Sequence, residues 1–421
     1  MTQTEKTRVL FFAWGDSIHA RRRIGIFTAD PSFEVGVVST FAYDFENAQN
    51  YYLSDAANSA GRKNRVHGLF VRFGKGFLAL PLYLLMRLFS AEISLVECWQ
   101  LLADTLLVRR YAREFKPDVV FLQTLLYPSY LSFLLSNKIP TMITFWNGDV
   151  TWWAKWRGIE RAFKKRIVLH GVKRATAITV NSSAALEACM GYGVARGKVK
   201  LIRYPGVNLE LFNPQPQKLE MREQLNLRHK NIVLCPRGLG GYLNSDVIIE
   251  AAADVIKQYP DTLFLFLSGV GSEALWEKHR KRAEALGIAE NMRRIGRVTW
   301  QDMPLYYRAA DVMVSVSSND SLPNCMLESM ACGVPVVMGD IPQIQEWVKN
   351  GENGFLVPPR DPVLLAQRII EMLADPDAVV AKFVQKNIEM VHREVDSRVV
   401  AETVKSLVRD VAKSESVNCI K

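Results

Sequence analysis

The chain has 421 residues, of which 49% are hydrophobic and 23% charged, and its net charge is +10. That balance excludes a disordered or collagen-like polymer and supplies enough apolar material for two domains with full cores. The charge is one-sided: residues 1–214 hold 28 Lys and Arg against 16 Asp and Glu, and the remainder 25 against 27, so any anionic partner is drawn to the first half.

In chain order, residues 1–8 are polar and lack the apolar core of a signal peptide. Residues 8–13 are an apolar run of strand length ending in Trp14-Gly15-Asp16-Ser17, a loop that opens a helix in the manner of a first Rossmann turn. A second strand is expected at 33–39. The polar segment 42–76 has little periodicity and reads as a mobile surface insertion, and 77–115 is helical in pattern, with a membrane-facing stretch at 78–89. Pro81 and Arg87 interrupt the apolar run there, so no transmembrane span is expected. Short buried strands follow at 118–122, 141–145 and 177–180, and residues 200–214 close the first domain through Pro205-Gly206. A second alternating set has strands at 231–235, 263–268, 292–295, 311–316, 335–338 and 354–357, then helices at 361–373 and 397–411. The expected division is 1–212, 213–395 and a terminal segment 396–421 whose last residues fray.

The basic field concentrates in Trp152, Trp153, Lys155 and Trp156 with Lys164 and Lys165 on the helical run that follows. Tryptophan and lysine together suit an anionic bilayer interface, and a solvated basic helix with core tryptophans fits the same residues equally well. No helix-turn-helix, finger or RNA-binding signature accompanies the charge, so nucleic acid is not the expected partner. The six cysteines, Cys98, Cys189, Cys235, Cys325, Cys332 and Cys419, form no CxxC pair and have no His partners at zinc spacing. They read as reduced, mostly buried thiols, and the expected compartment is cytoplasmic.

Residues 311–337 carry the most chemistry. A β-branched strand leads into a polar loop, Pro323 suits the start of a helix, and Gly333 stops that helix before the next strand. In an open parallel sheet such a loop lies at the carboxyl edge, and the free N–H groups of the helix start favour a diphosphate. Glu328 can then accept hydrogen bonds from ribose hydroxyls, with Asp320 reaching the group beyond the phosphates. The plainer alternative is an ordinary crossover in which Asp320 only caps the helix.

This stretch resembles the family 4 glycosyltransferases, whose signature is an acidic residue, seven intervening residues, and a glutamate followed by small-Met-Ala-x-Gly-x-Pro-Val. Asp320 and Ser321 stand where the family usually has glutamate and glycine. The resemblance implies an α/β GT-B fold, two Rossmann-like doubly wound domains facing a central cleft, and retaining transfer without a metal or other cofactor. It places Ser321, Leu322, Pro323 and Asn324 at the donor diphosphate. Cys235-Pro-Arg237 resembles the phosphate-binding loop, with Arg237 matching its arginine; Leu243 and Asn244 fill the region of the expected lysine, and none occurs before Ala251. Gly269 and Gly271 resemble the turn that lets backbone approach the nucleotide, and Arg297 and Val298 the segment that reads the base. On the acceptor side Asn147 stands where the family has histidine, with Asp149 after it. Gly15, Asp16 and His19 are expected to border the cleft, although His19 reads as readily as a satisfied histidine at a helix start. Asp375-Pro-Asp377 has the spacing of a metal-binding carboxylate pair but follows a helix, so a turn is the better reading.

The implied reaction moves a hexose from a UDP- or GDP-linked sugar to a glycan or polyprenyl-linked acceptor, as in bacterial surface-polysaccharide assembly. The polyprenyl acceptor would bring the basic half to an anionic membrane from its cytoplasmic side. A nucleotide-sugar epimerase of the same fold, or a non-catalytic nucleotide-sugar or glycan-binding protein, fits the same motifs.

Overall fold

The computed structural model describes residues 6–14, 17–53, 95–124, 129–146, 158–215, 217–267 and 273–414. It divides into two compact units, one formed by residues 1–205 with 401–421 and the other by 206–400.

The first unit is built on seven parallel strands: β1 (Thr7–Ala13), β2 (Phe33–Ser39), β3 (Ala48–Tyr52), β4 (Val119–Leu122), β5 (Thr141–Phe145), β6 (Ala177–Val180) and β7 (Val199–Leu201). Their spatial order is β3-β2-β1-β4-β5-β6-β7, so the winding reverses between β1 and β4. Leu10, Phe12, Val120, Leu122, Ile143 and Ile178 are fully buried, which is why these strands read as continuous apolar runs instead of alternating ones. Helix α1 (Ile18–Thr28) begins at Ser17, whose side chain caps the Ala20 N–H. Helices α2 (Leu95–Phe115), α3 (Gly158–Arg174) and α4 (Ser183–Gly191) supply further crossovers, and the Ser182 hydroxyl caps α4.

Residues 48–52 correct the expectation of an irregular insertion. They form β3, paired in parallel register with β2 from Val35↔Ala48 to Ser39↔Tyr52. The strand is hard to see in the sequence because it lies at the sheet edge: Gln49 is exposed while Tyr51 and Tyr52 carry the burial. Residues 42–47 lead into the strand as turn and irregular backbone, whereas 54–76, the 78–89 stretch and the 415–421 tail lie outside the described residues.

The second unit has six parallel strands, β8 (Asn231–Cys235), β9 (Thr262–Leu267), β10 (Met292–Ile295), β11 (Val312–Ser315), β12 (Val336–Gly339) and β13 (Phe355–Val357), in the order β10-β9-β8-β11-β12-β13. Its helices are α5 (Lys218–Gln224), α6 (Ser245–Gln258), α7 (Glu273–Ala285), α8 (Met303–Ala309), α9 (Asn324–Ala331), α10 (Pro342–Gln345), α11 (Pro362–Ala374), α12 (Pro376–Val379) and α13 (Gln385–Val395). Alternate residues of β8 face opposite cores. Ile232 and Leu234 pack with Met326, Leu327 and Met330 of α9, and Val233 and Cys235 with Val247, Ile248 and Leu365 of α6 and α11. Both faces of the sheet are thus covered, the arrangement that parallel sheets require. The unit begins at Gly206 because Val207 bridges to Asp396 and, with Phe212, packs into this core.

Helix α14 (Ser397–Ser414) continues into the first unit, burying Val400, Val404, Val408 and Val411 along one stripe. Lys405 pairs with Asp30 at 3.0 Å, and the Arg409 guanidinium lies 4.7 Å from the Phe33 ring. Among the described residues no helix is long and apolar enough to cross a membrane.

Candidate functional site

The reversal of strand order in the second unit falls between β8 and β11, and the loops leaving these two strands hold the expected donor-side residues. Arg237 comes two residues after β8 and Asp320 five after β11. Although 83 positions apart, they form an ion pair, their side chains 23% and 12% exposed. Burial alone would lower the Arg237 pKa, but the Asp320 carboxylate, Cys325 and Tyr242 together more than offset this and the guanidinium is raised above its ordinary value. It therefore stays charged at any working pH. The site holds a fixed cation, and in this state Asp320 neutralises it.

The rest of the β11 loop is shaped around that pair. Asp320 Oδ1 accepts the Ser321 N–H at 2.8 Å, and the hydroxyls of Ser317 and Ser321 are buried without a hydrogen-bond partner. Buried hydroxyls are normally satisfied, so two orphans in one polar loop leave hydrogen-bonding capacity there unused. Pro323 caps α9 in extended conformation without a side-chain hydrogen bond, Asn324 is the first helical residue, and Leu322 is buried. Gly333, at φ +77°, ends the helix, returning its N–H to the Met330 carbonyl. Gly339 is needed where β12 ends: a Cβ there would stand 2.6 Å from the Ser317 carbonyl oxygen, so only glycine lets the strand pass this close under the loop.

Asn244, in the region of the expected lysine, joins two loops of the site. It is buried in the left-handed region, at φ 52° and ψ 43°. Its amide donates to the Val316 carbonyl at 2.8 Å and to the Ser318 hydroxyl at 2.6 Å. Asn244 thus ties the β8 loop to the β11 loop and positions Asp320 at one remove. Arg360 reaches the same place from beyond β13, donating to Asn244 Oδ1 at 3.3 Å and pairing with Asp246 at 3.0 Å. It is a cation beside the loop that lacks the family's lysine.

Glu328, one turn into α9, is 6% exposed. Trp300 Nε1 donates to its Oε1 and the Tyr307 hydroxyl to its Oε2, each at 3.1 Å. Tyr307 is fully buried, and burial followed by the Glu328 carboxylate raises its pKa well above the ordinary value, so it remains a donor. The carboxylate is therefore oriented before any ligand arrives. These two orienting residues were missed in the sequence. Arg297 is exposed and Val298 half-buried just past the carboxyl end of β10. Burial pushes the nearby Cys325 thiol up to about 12, and Cys189, Cys235, Cys325 and Cys332 are free.

In the first unit the reversal between β1 and β4 gathers Trp14, Gln123 and Trp146 at the carboxyl edge. His19 is exposed on α1 with its ring 5.0 Å from that of Trp146. Arg23, one turn on, is buried, with its guanidinium 5.4 Å from the Trp146 ring and 3.7 Å from that of Tyr204. Gly15, Asp16, Asn147, Asp149, Trp152, Trp153, Lys155, Trp156, Gly269 and Gly271 lie outside the described residues, as does the Lys164 side chain; Lys165 is exposed on α3. Asp375 accepts the Ala378 N–H at 3.0 Å and so caps a turn at the start of α12. Among the described residues no cluster of His, Cys, Asp and Glu is placed to hold a metal ion.

Two doubly wound parallel units, each with a polar carboxyl edge at its reversal point, are the halves of a GT-B glycosyltransferase fold. Solved structures agree. Anabaena Alr3699/HepE, crystallised in complex with UDP and glucose, is similar at TM-score 0.71 and 18% identity over 96% of this chain and all of that one. Sucrose-phosphate synthase from Thermosynechococcus elongatus is similar at 0.71 and 19%, over 96% and 99%. Residues 217–390 match the family model "Glycosyl transferases group 1", and residues 64–211 match "Glycosyltransferase Family 4". The chain belongs to the family 4 glycosyltransferases. Among curated relatives, D-inositol 3-phosphate glycosyltransferase of Thermobispora bispora is 35% identical over 42% of this chain and 43% of the relative. The GDP-mannose-dependent alpha-(1-6)-phosphatidylinositol monomannoside mannosyltransferase of Mycolicibacterium smegmatis is 29% identical over 41% and 46%. The chain spans about half the length of the curated relatives it matches.

Proposed function

We propose that this chain is a retaining, metal-independent hexosyltransferase that moves a hexose from a UDP- or GDP-linked donor to a glycan or lipid-linked acceptor. The observation that carries this reading is the arrangement around the β8–β11 reversal: a permanently charged Arg237, a carboxylate beside it, the start of α9, and Glu328 oriented by Trp300 and Tyr307. When the bond between the sugar C1 and the diphosphate breaks, negative charge builds on the leaving phosphate oxygen. Arg237 and the N–H groups opening α9 offset it, as fixed dipoles and charges do in transfer reactions. The diphosphate takes over the guanidinium from Asp320, freeing that carboxylate to accept from hexose hydroxyls, while Glu328 accepts from the ribose. Asparagine at position 147 cannot exchange a proton near neutrality, so the departing phosphate oxygen takes the acceptor hydroxyl's proton as the new bond forms on the same face. The GDP-mannose and phosphatidylinositol monomannoside in the name of the Mycolicibacterium smegmatis relative, with the basic first half of the chain, support an acceptor at an anionic membrane surface.

The test is incubation of the purified chain with UDP- and GDP-hexoses, with and without glycan and polyprenyl diphosphate-sugar acceptors, followed by product analysis. Acceptor-dependent transfer with retained anomeric configuration, lost in Glu328→Ala, is the expected result. A new sugar epimer formed from donor alone would replace transfer with isomerisation, and full activity of Glu328→Ala would remove the donor-site assignment.

A further inference from the structure

The first unit contains a cavity of about 240 Å³ at the carboxyl ends of β1, β4 and β5, lined by Trp14, His19, Gln123, Thr124 and Trp146 among others. Gln123 is 4% exposed, yet neither Oε1 nor Nε2 of its side chain has a hydrogen-bond partner. Buried amides are nearly always satisfied, and a folded chain that leaves both ends of one unpaired gives up stability for it. The backbone of the same residue is held firmly, since the Trp146 indole N–H donates to the Gln123 carbonyl at 2.6 Å. The residue is thus anchored in the cavity wall by its main chain, while its side-chain amide leaves one acceptor and two donor positions unused.

That pattern matches adjacent sugar hydroxyls, each of which both donates and accepts. Indole and imidazole rings supply flat apolar walls for the C–H faces of a pyranose. Among the described residues that line it none is Asp, Glu, Lys or Arg, so neither a phosphate nor an amine finds a counter-charge among them. The volume is below the roughly 300 Å³ at which pockets for drug-sized ligands begin, which suits one sugar ring and excludes a nucleotide sugar. We propose that this cavity holds a neutral hexopyranose, the terminal sugar of the acceptor, and that Gln123 selects it by hydrogen bonds to two neighbouring hydroxyls. The assignment rests on the transferase reading above for the source of the sugar, and on the cavity alone for its chemistry.

The experiment is saturation-transfer NMR of the full chain with methyl gluco-, galacto- and mannopyranosides, comparing wild type with Gln123→Met and Gln123→Leu, alongside UDP and GDP binding and thermal melting of each. At least one glycoside binds wild type, and its affinity falls tenfold or more in both variants. Nucleotide affinity is unchanged, and Tm rises by a few degrees because an unsatisfied amide has been removed. No glycoside binding to wild type, equal binding to the variants, or a lowered Tm in both would overturn the proposal. Displacement of the glycoside by a nucleotide sugar but not by UDP or GDP would assign the cavity to the donor's hexose and overturn the acceptor assignment. Wild type that binds nucleotide but no glycoside refutes this site alone, whereas wild type that binds no nucleotide refutes the transferase reading.

Discussion

Replacing Asp320 with asparagine separates nucleotide binding from transfer. In the ligand-free chain the carboxylate occupies Arg237, and a donor diphosphate has to displace it. Two unit charges about 4 Å apart interact by about 4 kcal/mol at an effective dielectric constant near 20. The pair is partly solvated, at 23% and 12% side-chain exposure, and an asparagine keeps one neutral hydrogen bond, so the net competition removed is about 1–2 kcal/mol. UDP or GDP should then bind Asp320→Asn about 5- to 30-fold more tightly than wild type, with a smaller gain at high salt. Transfer should fall, because the amide accepts from the hexose hydroxyls more weakly than the carboxylate. Calorimetric titration with both nucleotides, together with a transfer assay at saturating donor, measures the two effects. Equal or weaker binding of both nucleotides by Asp320→Asn would refute competition for Arg237.

Tyr307→Phe removes one of the donors that orient Glu328, so stability should drop by about 1–2 kcal/mol in a denaturant titration and the donor KM should rise. An unchanged KM would mean that Glu328 does not need this support. Gly339→Ala places a methyl group 2.6 Å from the Ser317 carbonyl, displacing the β11 loop at a cost of about 1–3 kcal/mol; Tm and transfer should both fall while the far-ultraviolet circular dichroism is kept. Asp30 is lowered from 3.8 to about 2, first by the Ser32 hydroxyl and then by the Ser32 N–H and Lys405, outweighing the upward effect of burial. A carboxylate lowered in the folded state stabilises it fully above its unfolded pKa, and this contribution is lost as pH falls from about 4 through 2. Asp30→Asn should therefore lose about 1 kcal/mol at pH 7 after screening and show a flatter acid limb in melting experiments.

The strands of both units were legible wherever they are central, because burial on two faces writes them as unbroken apolar runs such as Val9–Phe12 and Leu263–Leu267. Strand β3 was not, since an edge strand needs only one apolar side and Ala-Gln-Asn-Tyr-Tyr carries its burial in two tyrosines. In the site, the spacing from Asp320 to Glu328 could be read because one loop and one short helix set it. The Arg237–Asp320 pair could not be read from spacing, because it depends on two strands distant in sequence becoming neighbours at the reversal point. The bridging bonds of Asn244 to Val316 and Ser318 were likewise out of reach, because they join loops 72 and 74 positions apart. Trp300 and Tyr307 were hidden for a different reason, as aromatic residues in apolar surroundings usually act only as packing.

Co-crystallisation of the full chain with UDP or GDP tests the donor site most directly. The diphosphate should lie on Arg237 at the start of α9, with Asp320 released from the guanidinium and the ribose hydroxyls on Glu328. A nucleotide bound elsewhere, with the Arg237–Asp320 pair intact, would contradict it.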